Sequence, residues 1–174
     1  GNNYLKKISG KSINNGKIIC LNRENIGRSF GAFSYAFSKF RSEYDYYLFS
    51  EDDILIFGKN YFSKGIEIFN SYKNPGFLAY IGKTKVGRWR WKQLNLNKDT
   101  AYTCHGATGL SSTKILEKIF KINNNLPHYQ GSNRELDITY GEVGFPSSIL
   151  KMGYELIDLP KNLILAVPLY DQMR

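Results

Sequence analysis

Apolar residues in this chain come in two patterns, short continuous runs and longer stretches with a spacing of three and four. Lys17–Leu21 (KIICL) is a β-rich run bounded by Asn15-Gly16 and Asn22, and it predicts a buried strand. The polar segment Asn22–Ser29, with Gly27, predicts a loop. Phe30, Phe33, Ala36, Phe37 and Phe40 then share one helical face, so a helix is expected over Ser29–Arg41 with Ser29 as N-cap. Tyr46–Ser50 (YYLFS) reads as a second strand, cut off by Glu51-Asp52-Asp53. Tyr61, Phe62, Ile66 and Phe69 predict a helix over Asn60–Tyr72, Pro75-Gly76 a turn, and Phe77–Ile81 a third strand.

Gly82–Thr100 shows neither period and reads as a long irregular loop, a length that often carries function. A strand-like stretch at Ala101–Cys104 leads into Gly106–Leu110. Thr113–Ile122 reads as a helix and Asn123–Glu135 as a polar loop. Asp137–Met152 contains a helix with Gly153 as its C-cap, and Tyr154–Leu159 is a closing strand stopped by Pro160. Strands alternating with helices predict an α/β fold with a mostly parallel sheet flanked by helices. Ligands of such sheets bind beyond the carboxyl ends of the strands, where the acidic triplet falls.

Composition narrows the function classes. The 174 residues suit one domain spanning 1–174, and 42% hydrophobic against 22% charged residues is enough for a packed core. A net charge of +9 favours anionic partners such as nucleic acid, nucleotide diphosphates or an acidic membrane face. No apolar run approaches the roughly 20 residues of a membrane span. Cys20 and Cys104 match no disulfide framework and no zinc spacing, which points to a reducing, cytoplasmic compartment.

The sharpest feature is Tyr47-Leu48-Phe49-Ser50-Glu51-Asp52-Asp53-Ile54. A greasy strand delivers three carboxylates to one spot in an otherwise basic chain. Adjacent like charges raise one another's pKa unless a cation relieves them, and carboxylate oxygens suit Mg²⁺ or Mn²⁺. The plain alternative is a solvated acidic turn after a strand.

The stretch Tyr46–Phe69 resembles the metal-binding segment of nucleotide-sugar glycosyltransferases with the GT-A fold, in which a hydrophobic strand ends in an Asp-x-Asp-type motif followed by a turn and a helix. Upstream, Glu24-Asn25-Ile26-Gly27 with Gly31-Ala32 and Ala36 is similar to a segment of glycosyltransferase family 2. Downstream, Glu142 followed by Gly153-Tyr154 is similar to that family's catalytic-acid segment. The likeness covers about Lys17–Leu159. Gly141 stands where the family has the first acid of a pair, Glu142 where it has Asp, and Phe145–Leu150 lacks the family's arginine. The family's first strand–helix–strand unit, which holds the nucleotide base, is not found, so a chain lacking that unit is expected.

The resemblance implies a GT-A-like (Rossmann-like) fold and an inverting transfer of a sugar from a nucleotide-diphosphate sugar to a hydroxyl of a glycan, lipid-linked glycan or protein. Asp53 and Glu51 would bind Mn²⁺ or Mg²⁺. Glu51 and Asp52 would contact the donor ribose or support the metal shell, Asn25 belongs to the segment that would meet the donor, and Glu142 would be the base that deprotonates the acceptor. The enzyme would act without nucleic acid, either soluble in the cytoplasm or peripheral to a membrane surface. For Glu142 the alternative is a helix-start Glu favoured by the dipole.

Trp89 and Trp91, around Arg90, offer stacking faces for an acceptor sugar; the alternative is one core tryptophan and one exposed by chance. His105, in Cys104-His105-Gly106, is a candidate for touching the diphosphate or acceptor, or is structural. Arg23 and Arg28, near Asn25 and Gly27, are candidates for meeting donor phosphates, with a solvated arginine as the alternative for each, and Arg28 reads as the solvated one. Two other classes remain on these residues: a nucleotidyltransferase, and a non-catalytic polyanion- or nucleic-acid-binding domain built on Arg88–Lys92. A catalytically silent family member is a further alternative.

Overall fold

The computed structural model describes residues 2–13, 16–97, 101–104, 107–131 and 133–169, with residues 2–4 and 91 described by backbone alone. Helix α1 (Asn2–Ile8) and the short hairpin of β1 (Ser12–Ile13) and β2 (Gly16–Lys17) precede helix α2 (Arg28–Phe40). There follow β3 (Tyr46–Phe49), β4 (Ile54–Ile56), α3 (Tyr61–Ser71), β5 (Pro75–Ala79), β6 (Lys83–Lys85), α4 (Arg88–Gln93), β7 (Tyr102–Cys104), β8 (Gly109–Ser112) and α5 (Thr113–Asn123). A helical rod runs through α6 (Arg134–Asp137), a π-helical stretch (Ile138–Val143) and α7 (Gly144–Lys151). Strands β9 (Glu155–Asp158) and β10 (Ala166–Pro168) end the described chain.

The sheets correct the expectation of a mostly parallel, Rossmann-like sheet. Among the described residues the largest has four strands in the order β3-β8-β5-β9, and three two-stranded sheets accompany it. Strand β8 pairs antiparallel with both β3 and β5, and β5–β9 is the parallel pair. The other three sheets are antiparallel pairs, β1–β2, β4–β10 and β6–β7. The physical reason is insertion. Helix α3 links β3 to β5 as a crossover would, but β8, arriving after a long excursion, wedges between them in the opposite direction. The period of side chains along a strand says which faces are buried and nothing about which neighbour it finds.

Two other expectations change. Lys17–Leu21 is not a buried strand: Ile18 still exchanges backbone hydrogen bonds with Gly10 and Lys11, but Ile19 and Leu21 beyond it are exposed. Gly82–Thr100 is not irregular throughout, since β6 and α4 lie within it. The helices expected over Ser29–Arg41, Asn60–Tyr72 and Thr113–Ile122 are found nearly in place as α2, α3 and α5.

Two apolar layers pack on the main sheet. Phe30 and Phe37 of α2, Phe49, Phe77, Ile115, Leu116 and Ile119 of α5, and Phe145 and Ile149 of α7 form one. Ile68 and Phe69 of α3, Leu78, Leu110, Ile157 and Leu165 form the other. In the first, the Phe145 ring meets Phe77 at 5.5 Å and Phe49 at 5.9 Å, both edge-on, and Phe30 at 6.2 Å. Edge-to-face contacts at these separations add to the area buried. This cluster ties the end of β3 and the start of α2 to the helical rod, and so joins the parts of the site described below. Buried Cys104 belongs to the same layer, and burial pushes its thiol up to about 12, which keeps it an unreactive packing group. Among the described residues no helix is long and apolar enough to cross a membrane.

Candidate functional site

Strand β3 ends at buried Phe49, and the chain turns through Glu51–Ile54, closed by the Ile54 N–H donating to the Glu51 carbonyl at 3.4 Å. The far side of this turn is pinned by β10: Val167 pairs opposite Leu55, and the Leu169 N–H donates to the Asp53 carbonyl at 2.8 Å. The acidic side chains therefore stand on a turn anchored on both sides, with Asp52 and Asp53 exposed.

They border a cleft of about 670 Å³ whose other walls are Asn25, Arg28, Ser29 and Phe30, at the start of α2, and Arg134, Asp137, Ile138 and Glu142 on the helical rod. Of the residues expected from sequence to act together, Glu51, Asp52, Asp53, Asn25 and Glu142 all line this one cleft.

Glu142 reaches it through a distortion. In a regular α-helix, residues five apart point in different directions. The π-helical turn, with its i→i+5 bonds, brings Asp137 and Glu142 to the same wall. Pro146 supplies a cause: it has no N–H for the Glu142 carbonyl, and its ring would clash with that carbonyl in a regular helix. Gly141 inside the turn presses on Phe30, and a Cβ there would lie 2.7 Å from the ring. The acid that the resembled family carries at this position has no room.

The electrostatics of the cleft are uneven. Burial, then the charge of Glu51, pushes the Glu142 carboxyl up to about 7; Asp137 adds to this, while Arg90 and Arg134 oppose it. Asp137 is itself buried, and its pKa is raised by desolvation, against the pull of Arg28, His128, the Tyr129 N–H and Arg23. Among the described residues its Oδ1 has no hydrogen-bond partner.

Arg23 does not line this cleft. Its guanidinium donates to the carbonyls of Glu24 (2.7 Å), Ile26 (2.6 Å) and Arg28, so it holds the loop that carries Asn25 and Arg28. That loop ends in two consecutive left-handed residues, Gly27 (φ 68°) and Arg28 (φ 43°), a conformation uncommon for a residue with a Cβ. Gly27 is further required by closeness: a Cβ there would sit 2.5 Å from the His128 ring. Arg28, which read as a solvated arginine, instead forms part of the cleft wall. Replacing Arg23 by Lys removes the planar fork that serves three carbonyls. Losing about 1.5–3 kcal/mol of charged hydrogen bonding should speed amide exchange over Ile26–Gly31 at least tenfold. Unchanged exchange would show that the loop holds itself.

Trp89 lies on α4, within what read as an irregular loop, and is 56% exposed. Arg90 lies over its ring at 4.7 Å and donates to Glu135 Oε2 at 3.1 Å, linking α4 to the rod that bears Glu142. The Trp91 side chain and His105 lie outside the described residues.

No family model, curated protein or solved structure matches this chain.

Among the described residues, no three His, Cys, Asp or Glu side chains gather closely enough to hold a metal ion by themselves. The donor set at the turn is nevertheless all hard carboxylate oxygen. Magnesium-type ions commonly take one or two such carboxylates and complete their shell with water and substrate phosphates. The turn fits that mode of binding rather than a preformed protein cage.

Sequence reasoning set Arg28 aside and missed Ser29, Arg134 and Asp137. Pro146, inside an otherwise helical pattern, was the available signal for Asp137, because it marks where the helix must depart from a regular period.

Proposed function

We propose that this protein is an inverting glycosyltransferase that moves a sugar from a nucleotide-diphosphate sugar to a hydroxyl acceptor on a glycan, lipid-linked glycan or protein. The observation that carries the reading is the meeting of Glu142 with the Glu51–Asp53 turn in one polar cleft, with the Glu142 carboxyl poised near neutrality. A base works best with a pKa near the operating pH.

In this reading Glu142 Oε takes the proton of the acceptor hydroxyl. The hydroxyl oxygen forms a bond to the anomeric carbon from the face opposite the leaving group. The bond from that carbon to the diphosphate oxygen breaks, and its electron pair departs with the nucleoside diphosphate. Asp53 and Glu51 would hold Mn²⁺ or Mg²⁺, which when bound supplies charge neutralisation for the diphosphate. Arg28 and Arg134 offer guanidinium groups to phosphate oxygens. Asn25, which lines the same cleft, would exchange a hydrogen bond with a donor hydroxyl. The basic surface, at +9, draws anionic donors towards the cleft and is compatible with an acidic membrane face.

The deciding experiment is turnover of a panel of nucleotide sugars with and without Mn²⁺. Activity should require the ion, and Asp53→Ala should reduce it by roughly 10²-fold or more, the scale of several kcal/mol of lost charge stabilisation. Turnover that ignores both the ion and Asp53 sinks the metal role. Tight, salt-sensitive binding of DNA without nucleotide-sugar turnover replaces the whole reading with a polyanion-binding one.

A further inference from the structure

Residues 83–93 hold five Lys or Arg and no Asp or Glu, more than half of the chain's +9 excess. They form β6 and α4, joined through Val86-Gly87. Two of the five cations are answered within the fold: Lys83 lies 3.8 Å from Asp158 Oδ2, and Arg90 bonds Glu135. Lys85 lies over the Tyr102 ring at 5.8 Å. Lys85, Arg88 and Lys92 are exposed and have no carboxylate partner among the described residues.

The segment is nevertheless firmly seated. Strand β6 pairs with β7, and half-buried Val86 and Leu94 pack on buried Leu96, Ala101 and Val143. Trp89, between these anchors, is left outside, its ring resting on the Arg90 guanidinium. A fixed frame therefore holds an indole outward among three cations that no carboxylate neutralises. Neither the acidic cleft nor four smaller cavities of the chain take a wall from Arg88, Trp89 or Lys92, so a small ligand would find no enclosure there. Single-stranded nucleic acid is gripped by successive rings along a groove, whereas Trp89 is the one exposed ring on this face among the described residues. An anionic bilayer needs neither enclosure nor a row of rings. Its surface attracts Lys and Arg charge by charge, and its headgroup layer receives an amphipathic indole.

We propose that the β6–α4 face docks the protein on an anionic lipid surface, with Trp89 seated in the headgroup layer and Lys85, Arg88 and Lys92 over lipid phosphates. The docking is independent of sugar transfer and needs no nucleotide sugar. Arg90, under the Trp89 ring and bonded to Glu135, connects this face to the helical rod that bears Glu142.

Co-sedimentation of the full chain with vesicles tests this. Phosphatidylcholine vesicles containing about 30% phosphatidylglycerol should bind at least roughly tenfold more tightly than pure phosphatidylcholine, and added salt should weaken the binding. Trp89→Ala should weaken it about tenfold, the scale of burying half an indole. Arg88→Gln and Lys92→Gln should each weaken it about fivefold, the scale of one charge near such a surface, while Arg88→Lys keeps the charge and should stay within about twofold. Removing two exposed charges from α5 with Lys114→Gln and Lys121→Gln should also leave binding within about twofold, as should Asp53→Ala. All these positions are exposed, so an unchanged Tm separates lost docking from unfolding. Equal binding to both vesicles overturns the proposal. So does Trp89→Ala that binds as wild type does, or an equal loss from removing the α4 and the α5 charges. Tighter, Trp89-dependent binding of a single-stranded oligonucleotide puts nucleic acid in place of lipid and overturns it too. Docking without turnover of any nucleotide sugar upholds this face and removes the transfer reading; Asp53-dependent turnover without docking does the reverse.

Discussion

If the chain transfers sugar as proposed, Glu142→Gln is expected to lower that activity by roughly 10²–10⁴-fold, the usual contribution of a general base, while donor binding stays within a few fold of wild type. The amide keeps the size of the side chain and loses the ability to take the acceptor proton. The pH profile gives a second readout. A base must be ionised to act, so kcat/KM should rise with pH and level off once Glu142 is ionised; burial holds that point above the ordinary carboxylate range, and a cation at Glu51 draws it below the metal-free value of about 7. The variant should show no such rise.

Stability moves in the opposite direction. The folded-state pKa of about 7 lies above the ordinary value of 4.5, so between those pH values the folded chain holds a proton that the unfolded chain has released. Wild-type stability therefore falls as pH rises through that window. Glu142→Gln, with nothing to ionise, should gain stability relative to wild type over the same range. A loss of transfer accompanied by a gain in stability at about pH 8, above the folded-state pKa, separates a chemical defect from unfolding. A fully active Glu142→Gln removes this residue as the base.

Phe145→Ala should cost about 3–5 kcal/mol, the range for deleting a buried aromatic ring. For a chain of this size that corresponds to a fall in Tm of roughly 6–20 °C. Phe145 is 2% exposed and its ring touches Phe30, Phe49 and Phe77, so little of the space it leaves can close without moving three elements. Phe49 precedes the acidic turn and Phe30 lines the cleft, while Phe145 itself follows Glu142 by less than one helical turn. The variant should consequently lose activity even where it remains folded. Thermal denaturation followed by circular dichroism checks the first expectation, and turnover well below Tm checks the second. A change in Tm of under about 2 °C would show that this ring is not the clamp its contacts indicate.

The helices on the main sheet were legible because their apolar stripes are long and regular: Phe30, Phe33, Phe37 and Phe40 give α2, and Ile115, Leu116 and Ile119 give α5. The acidic turn was legible because a continuous apolar run cannot carry three carboxylates and must end before them. Lys17–Leu21 misled because an apolar run looks the same whether or not a partner strand exists to receive it; Ile19 and Leu21 found none. Arg88–Gln93, read as part of an irregular loop, has too few residues for a helical period to stand out.

What the amino-acid order determined by itself is local: where the helical stripes lie, that β3 ends in Glu51-Asp52-Asp53, and that the chain is basic apart from that cluster. The tertiary structure decided the rest. Strand β8 entered between β3 and β5 in the antiparallel sense, which no periodicity encodes, because pairing depends on which backbone edge is free when the strand arrives. The π turn carried Asp137 onto the wall occupied by Glu142, since a change in the number of residues per turn redirects every side chain around it. Arg23, which read from its neighbours as a donor ligand, was spent on three backbone carbonyls, because a guanidinium surrounded by unpaired carbonyls binds them first. The meeting of Glu142 with the acidic turn belongs to the same level: the two lie far apart in the chain, and the Phe49–Phe145 contact is what brings their walls together.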